Sequence, residues 1–314
     1  MKVSKDGAVG FKPGVDMEVT RNPKRIKEEA VHFMDALLNG RQDKNLQDLG
    51  FSFQPDYSDT ENFLSNLSQL SPDSQGRKEM PLTSEEVKDV VKSCPNGKSP
   101  GLDGLMYEFY KKTWSTIGNT FITVLQNQLD RLKVMESSRH GATRLIPKVD
   151  GVPDVTELRP ITLLQVDYRL LSKCLATRHH TVISEVVDPR QLGSSLPGQG
   201  GGILTGVYDI VSSIDYVNRN NLEAYIASFN DMKAYDRSST AYLERVMEKM
   251  AFPEIFRSWM QMLYCGATTK LILPSGLSRE IKVTFSFRQG DSIAGDLYCI
   301  NQEPLLRMLR KKLT

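Results

Sequence analysis

Two acidic residues five positions apart, Asp231 and Asp236, are the first candidates for chemistry in this sequence. They lie in the stretch SFNDMKAYDR, residues 228–237. The residues before Asp231 alternate with a period of two, which predicts a strand that ends at a carboxylate and holds a metal ligand still. A turn or a surface ion pair is the simpler interpretation of Asp231 taken alone. The apolar spacing after Asp236 suits a helix, so we expect Asp236 to cap its N-terminus.

Two cations, Lys148 and Arg159, flank a short turn that contains Asp, Gly and Pro residues. The turn separates two apolar segments, residues 142–148 and 158–164, which predicts a β-hairpin with both cations close to its loop. Lysine is a flexible point charge and arginine a planar fork, a combination that suits a polyphosphate. Solvated surface cations are the simpler explanation of such a pair.

A predicted helix at residues 167–180 has apolar residues on one side and cations on the other. The cations are Arg169, Lys173 and Arg178. Such a basic face could contact the phosphate backbone of a nucleic acid. Most basic faces of this kind only meet water.

Gln289 and Gly290 stand at a junction between a predicted strand and a predicted helix. Glycine lets the backbone come close to a ligand, and the glutamine amide can read that ligand, although the pair could also be only a turn. The glycine-rich segment at residues 197–202 lacks the Lys-Ser/Thr ending of a phosphate loop and does not fit GxGxxG. It therefore excludes the usual nucleotide-binding folds.

Composition limits the class of protein. The 314 residues are 39% hydrophobic, enough for a substantial core, and 40 Lys and Arg nearly balance 38 Asp and Glu, so any basic surface must be local. The four cysteines form no CxxC pair, which predicts buried thiols in a reducing compartment and no structural zinc. No signal peptide or membrane span is expected, and the predicted location is intracellular, in the nucleus, the cytoplasm or both.

The elements that must position these residues are read from periodicity and turn chemistry. Residues 50–79 predict an irregular linker, and a capping box at residues 83–86 begins a helix. A tight turn at residues 98–104 precedes two amphipathic helices, and a second hairpin turns at residues 274–276 between strands 268–273 and 280–285. The predicted helices cover residues 23–39, 84–94, 107–114, 121–132, 167–180, 203–216, 243–250, 255–263 and 297–309.

The order of these blocks resembles that of a reverse transcriptase. The blocks are KSPGLDG at 98–104, LIPK at 145–148, LRPITLL at 158–164, YRLLSKCLATR at 168–178, DMKAYD at 231–236, RQG at 288–290 and EPLLRML at 303–309. The likeness is closest to the polymerase of LINE-type (non-LTR) retrotransposons, with group II intron maturases more distant. It covers about residues 85–310, and the helix at residues 23–39 resembles the segment before that domain.

The resemblance implies an α+β fold of the right-hand polymerase type. Residues 1–82 would form an N-terminal extension or linker with one helix, residues 83–202 helical fingers with a β-hairpin, and residues 203–314 a partial palm with an incomplete sheet. The activity implied is RNA-directed DNA synthesis, the addition of deoxynucleotides to a primer 3′-hydroxyl. The implied partners are an RNA template, a DNA primer, dNTPs and the rest of a retrotransposon polyprotein, and no membrane.

The resemblance also assigns roles to the candidate residues. Asp231 and the backbone carbonyl of Met232 would bind two Mg²⁺ ions, or Mn²⁺ in their place, because these ions prefer oxygen ligands. Lys148 and Arg159 would hold the incoming triphosphate. Tyr235 would lie under the sugar and exclude a 2′-hydroxyl, and Gln289 and Gly290 would lie beside the nascent base pair.

Two departures from the family pattern change the expectation. Residues 291–295 read DSIAG, where the family usually has Cys/Asp-Pro-Leu-Ser-Pro. The family's Ala-Asp-Asp metal-binding hairpin lies some tens of residues beyond RQG. Here 24 residues follow Gly290, and this segment contains no two adjacent Asp residues. We therefore expect a chain truncated before that block, without a thumb, that does not polymerise alone. The alternatives are a domesticated or relic nucleic-acid-binding module and a decayed product without a stable fold.

Overall fold

The structure is a computed structural model that describes residues 22–39, 60–148, 155–191, 202–231 and 233–313. Over these residues the chain has a mixed α+β fold. The helices are α1 Pro23–Leu38, α2 Thr60–Leu64, α3 Pro72–Glu79, α4 Ser84–Ser93, α5 Tyr107–Asp130, α6 Glu136–Arg139, α7 Val166–His180, α8 Ile183–Val186, α9 Ile203–Arg219, α10 Thr240–Lys249, α11 Glu254–Tyr264 and α12 Ala294–Leu313. The strands are β1 His140–Pro147, β2 Leu158–Leu164, β3 Thr268–Leu273 and β4 Gly276–Lys282.

The four strands form one sheet in the order β2-β1-β3-β4. Strands β1 and β2 are antiparallel, β1 and β3 parallel, and β3 and β4 antiparallel. Both predicted hairpins are therefore confirmed. Strand β4 begins and ends earlier than predicted: the amides of Thr284 and Phe285 donate to the Leu38 carbonyl at the end of α1, so the chain has left the sheet there.

Two clusters of buried apolar side chains hold the fold together. The larger cluster joins residues from Leu64 to Ile300 and includes members from all three predicted units. The smaller cluster packs α1 against the sheet. The helix predicted at residues 23–39 is confirmed as α1, and the apolar residues that recur along it at helical spacing, Ile26, Ala30, Phe33, Met34 and Leu37, are buried there.

Of two predictions made from local sequence, the capping box at the start of α4 is confirmed and the division of α5 into two helices is not. The capping box is confirmed: the Thr83 side chain accepts from the Glu86 amide, and the Glu86 carboxylate accepts from the Thr83 amide. The prediction of two helices between residues 107 and 132 was wrong, because α5 continues through Gly118. A Cβ at position 118 would lie only 3.0 Å from the nearest atom of the Trp114 ring, so glycine here makes room for the indole rather than breaking the helix.

The predicted linker at residues 50–79 was wrong over its described part. Leu64, Leu67 and Leu70 are buried in the larger cluster, and the Leu70 amide donates to the Met250 carbonyl at 2.9 Å. Ser71 caps α3 with its side chain, and a proline follows at the first helical position. The three leucines, spaced three residues apart, are buried against elements distant in sequence. The polar composition of the segment is a local signal and does not predict those contacts. Residues 40–59 lie outside the described part of the chain.

The strand predicted to end at Asp231 is absent. Residues 222–231 have no regular structure and lie exposed, with Tyr225 96% and Phe229 87% accessible. A strand needs neighbours for its N–H and C=O groups, and in the described sheet none pairs with this segment. The preceding helix α9 likewise exposes large apolar residues, among them Leu204, Val207, Tyr208 and Val211.

The expectation of buried thiols is met for three of the four cysteines. Cys94, Cys174 and Cys299 are buried free thiols, whereas Cys265 is exposed. Within the described residues, no helix combines the length and the apolar character needed to cross a bilayer.

Candidate functional site

The β1–β2 hairpin brings the two predicted triphosphate cations to one end of the sheet. Arg159 pairs with Ile146 across the ladder, and the Lys148 amide donates to the Glu157 carbonyl at 2.9 Å just beyond the last pair. Both cationic side chains are exposed. The Asp, Gly and Pro residues between the two strands therefore predicted correctly that Lys148 and Arg159 lie at the same end of one hairpin.

The loop that carries Gln289 and Gly290 docks on the outer edge of β2. The Thr162 amide donates to the Gln289 carbonyl at 3.0 Å. Gly290 has φ +117°, and a Cβ there would lie 2.5 Å from the Thr162 carbonyl oxygen. Only glycine permits this approach. The predicted close contact of the Gly290 backbone is therefore present, and its partner is strand β2, not a ligand. The loop consequently lies three residues along the strand from Arg159.

Asp236 is buried beneath this junction, with 3% of its surface accessible. It lies in a 3₁₀ turn, Tyr235–Arg237, and not at the start of α10, which Ser239 caps by accepting from the Tyr242 amide. The cap predicted for Asp236 was therefore wrong. Burial raises the pKa of its carboxyl to about 6, although the nearby Lys233 and Lys148 charges and a 3.4 Å bond from Gln289 Nε2 oppose that rise.

Lys233 is a second buried charge in the same turn, and sequence reasoning assigned it no role. Its side chain is 7% accessible, and its Nζ donates to the Leu158 carbonyl at 2.6 Å and lies 5.5 Å from the centre of the Phe33 ring. Its backbone has φ +53°, an uncommon conformation for a residue with a Cβ. Burial lowers the pKa of the ammonium to about 8, while the Asp236 carboxylate favours the charged form.

Tyr235 belongs to the same turn, and its side chain packs against α12. Its carbonyl accepts from the Phe287 amide at 2.9 Å, and its ring stacks on Tyr298 with centres 4.9 Å apart. The Tyr298 hydroxyl donates to the Asp231 carboxylate at 2.6 Å, and Gln302 Nε2 donates to that hydroxyl at 3.1 Å. Asp231 itself is exposed, and Met232 lies outside the described residues.

The described residues do not supply the ligand set of a two-metal site. The resemblance implies a pair of divalent metal ions, but nowhere in the described ranges do three His, Cys, Asp or Glu side chains come together where they could hold an ion. Asp231 offers one carboxylate, and Tyr298 already bonds to it. A pair of ions needs more negative charge than that, so binding of Mg²⁺ or Mn²⁺ through Asp231 stays a prediction.

Two residues that flank the pair Gln289-Gly290 hold the loop in place and were missed by sequence reasoning. The Arg288 guanidinium is buried 4.2 Å from the centre of the Tyr168 ring, and one of its nitrogens donates to the Leu263 carbonyl at 3.0 Å. The Asp291 carboxylate accepts from the hydroxyls of Tyr168, at 2.8 Å, and Ser172. The available signal was Phe287, the apolar residue directly before Arg288, which is itself buried.

The basic face of α7 contacts the protein itself. Arg178 makes a two-pronged bond to the Glu86 carboxylate, at 2.6 and 2.7 Å, and a further bond to the Pro81 carbonyl at 2.7 Å. Arg169 donates to the Ser99 carbonyl and lies over the Tyr107 ring, and Lys173 lies 3.6 Å from the Cys94 sulfur. Contact of Arg169, Lys173 and Arg178 with nucleic acid stays a prediction.

Comparison with known proteins identifies the family to which this arrangement belongs. A family model described as "Reverse transcriptase (RNA-dependent DNA polymerase)" matches residues 146–314, a range that contains every candidate residue above. The "Transposon TX1 uncharacterized 149 kDa protein" of Xenopus laevis is 31% identical over 238 residues, 76% of this chain and 18% of that protein.

Two further relatives are polyproteins of retrotransposable elements. The "Retrovirus-related Pol polyprotein from type-2 retrotransposable element R2DM" of Drosophila melanogaster is 28% identical over 67% of this chain and 19% of its own length. The R2 polyprotein of Bradysia coprophila is 24% identical over 74% of this chain and 25% of its own length. The chain thus spans a quarter or less of these three relatives. The likeness to the polymerases of LINE-type retrotransposons is confirmed, and this chain belongs to the reverse transcriptase family.

Proposed function

We propose that this chain forms the nucleotide-binding part of an RNA-directed DNA polymerase encoded by a non-LTR retrotransposon. In this proposal residues 83–202 correspond to fingers and residues 203–314 to part of a palm. The partners are an RNA template, a DNA primer, dNTPs and the remaining polyprotein. The whole protein would add deoxynucleotides to the primer 3′-hydroxyl.

One observation carries the proposal: the RQG loop docks on the strand that bears Arg159. The bond from the Thr162 amide to the Gln289 carbonyl, and the fit of Gly290 against Thr162, bring two sequence blocks about 130 residues apart to one edge of the sheet. A triphosphate at the exposed hairpin end would meet Lys148 and Arg159. The same nucleotide could then extend along β2 towards Gln289.

Each residue has a distinct task in this proposal. The Arg159 fork and the Lys148 ammonium neutralise and orient the triphosphate oxygens, which is the main contribution that a protein makes to phosphoryl transfer. The Gln289 amide and the Gly290 backbone face the nascent base pair. Tyr235, fixed by its stack on Tyr298, closes the sugar side against a 2′-hydroxyl.

The chain by itself is proposed not to polymerise. Its described residues form no group of three His, Cys, Asp or Glu side chains that could hold a metal ion, so two ions beside Asp231 would lack compensating charge. A primer-extension assay on an RNA template tests this statement. Robust DNA synthesis by the 314-residue chain that is lost in Asp231→Asn would contradict this proposal.

Binding of a deoxynucleotide tests the site itself. We expect the chain to bind dTTP in calorimetry, and Arg159→Ala or Lys148→Ala to weaken binding about tenfold, as loss of a charge-assisted hydrogen bond implies. Arg144→Ala is the matched control, because Arg144 is an exposed cation on the same hairpin, away from its loop. An equal loss in all three variants would indicate general electrostatic attraction and reject the site.

The alternative of a nucleic-acid-binding module loses much of its support. Such a module would bind through the basic face of α7 or through the cationic end of α12, where Arg307, Arg310, Lys311 and Lys312 cluster. The α7 cations have partners within the chain. At the other end, Arg307 donates to Ser68 Oγ at 2.6 Å, and Arg310 pairs with Asp188 and Glu303 at 3.2 Å.

A further inference from the structure

The turn at residues 233–236 carries two buried charges, and neither has a task in the function proposed above. Charged side chains are seldom fully buried without a partner, since removal from water disfavours the charged form strongly. Lys233 and Asp236 have opposite signs and lie three positions apart in one short turn. The structure gives each of them a contact with a different part of the candidate nucleotide site.

Lys233 contacts the hairpin. Its ammonium donates at 2.6 Å to the carbonyl of Leu158, the residue directly before Arg159 in β2. The same Nζ lies 5.5 Å from the centre of the Phe33 ring of α1, so the ammonium contacts both β2 and α1. A short bond from a buried ammonium fixes this backbone group more firmly than a bond between neutral groups. The start of β2, and with it the base of the Arg159 side chain, is therefore tied to the turn.

Asp236 contacts the loop. Its carboxylate accepts from Gln289 Nε2 at 3.4 Å, a long bond that reaches the amide expected to lie beside the base pair. Two backbone bonds support the same docking: the Phe287 amide donates to the Tyr235 carbonyl and the Ser286 amide to the Ser238 carbonyl, both at 2.9 Å. The loop is thus tied to the turn on one side and, through Thr162, to β2 on the other.

The two charges also depend on each other. In this buried turn each favours the ionised form of its neighbour, and Lys148 adds a second positive charge near Asp236. Removal of either partner would leave the other charge buried and uncompensated. The left-handed backbone at Lys233 is a further unfavourable feature that the surrounding contacts must maintain.

We propose that Lys233 and Asp236 are positioning residues that set the hairpin bearing Arg159 and the loop bearing Gln289 in register, and so fix the distance between the triphosphate and base ends of the nucleotide site. The inference rests on the proposed function for its nucleotide part. The geometric part stands on the contacts alone. Neither residue touches the nucleotide itself, so neither is a catalytic residue.

The amide of Thr162 is a direct reporter of this register, because its hydrogen bond joins β2 to the loop. Hydrogen exchange measured by NMR should be at least about tenfold faster at Thr162 in Lys233→Met and in Asp236→Leu, as loss of a bond to a charged group implies. Lys233→Met keeps the apolar stem and removes only the donor. Asp236→Asn keeps an acceptor for Gln289, so exchange at Thr162 should be slower in this variant than in Asp236→Leu.

A second amide separates local from global effects. Leu125 lies buried in the middle of α5, far along the chain from the turn. General destabilisation accelerates exchange at both Leu125 and Thr162, whereas loss of register accelerates Thr162 alone. Unchanged Thr162 exchange in both Lys233→Met and Asp236→Leu overturns the inference, and so does acceleration that Leu125 shares equally.

Nucleotide affinity tests the functional part by a double-mutant cycle. If Asp236 acts through Gln289, then Asp236→Leu combined with Gln289→Ala binds dTTP no more weakly than Gln289→Ala alone. Additive losses would contradict that route. If wild-type dTTP binding is insensitive to Arg159→Ala and Gln289→Ala, the proposed function fails, while the Thr162 measurement still decides whether the pair sets the register.

Discussion

The Tyr298 hydroxyl donates a 2.6 Å hydrogen bond to the Asp231 carboxylate and thereby joins α12 to the end of an otherwise exposed segment. The same ring stacks on Tyr235, so one side chain contacts Asp231 and Tyr235, two of the residues that the DMKAYD block contributes to the candidate site. Gln302, one helical turn further along α12, donates to the hydroxyl and orients it. Position 298 therefore couples Asp231 to Tyr235 without itself belonging to the predicted set.

Tyr298→Phe separates these two contacts, because it keeps the ring and removes the hydroxyl. We expect greater backbone motion at residues 229–231, since their hydrogen-bonded anchor is lost, and little change in overall stability. The ¹H–¹⁵N heteronuclear NOE of the Asp231 amide, which reports motion on the picosecond to nanosecond timescale, should fall. Tyr208→Phe, at an exposed tyrosine of α9, is the control and should leave that value unchanged. An unaltered NOE in Tyr298→Phe would show that the bond does not order the segment.

Asp236 predicts a pH dependence of stability. Its pKa rises from 3.8 to about 6 on folding, chiefly through burial. A raised folded pKa contributes stability that is complete below the unfolded value and is lost as the pH rises through the folded value. The free energy of unfolding should therefore decrease between about pH 4 and pH 6, by up to roughly 3 kcal/mol from this group.

Asp236→Asn should remove that decrease, because an amide does not titrate. Urea unfolding at pH 4.5 and pH 7 for both proteins gives the difference, and titrations shared by the two proteins cancel. Asp209→Asn, on the exposed helix α9, is the control and should keep the wild-type slope. If Asp236→Asn retains the wild-type slope, another group is responsible for it.

Gly290→Ala should destabilise the protein much more than Gly276→Ala. Both glycines have positive φ, +117° and +98°, so an added Cβ strains both backbones. A Cβ at Gly290 would also lie 2.5 Å from the Thr162 carbonyl oxygen, whereas Gly276 has no heavy atom within 4 Å of that position. We expect a loss of about 1 kcal/mol at Gly276 and roughly 3 kcal/mol or more at Gly290, measured by urea unfolding. Equal losses would mean that the loop is not docked on β2.

Arg178→Met should cost about 3 kcal/mol of stability, because it leaves the Glu86 carboxylate without its partner in a mostly buried place. The two side chains are 11% and 18% accessible. Arg219→Met is the matched control, since Arg219 pairs with Asp215 on the exposed surface of α9, where an ion pair contributes about 0–1 kcal/mol. If Arg178→Met leaves the free energy of unfolding unchanged, the ion pair with Glu86 does not stabilise the fold, and Arg178 would be available to contact a nucleic acid.

Local patterns in the sequence predicted most of the elements that the structure describes. Periodicity located α1 and its buried face, the capping box located the start of α4, and turn chemistry located both hairpins. These signals act between residues a few positions apart, so they do not depend on the rest of the fold. Errors occurred where distant contacts outweighed them, as at Gly118 under the Trp114 ring and at the buried leucines of residues 64–70.

The sequence by itself determined the family and the order of the candidate residues, because types and spacing along the chain carry both. Only the tertiary structure decided which of these residues meet. It joined Gln289 to the strand of Arg159, buried Asp236 instead of using it as a helix cap, and gave Lys233 a role between them. It also turned the cations of α7 towards partners in the chain. The physical reason is that burial and charge pairing depend on neighbours contributed by other elements, and no local pattern specifies those neighbours.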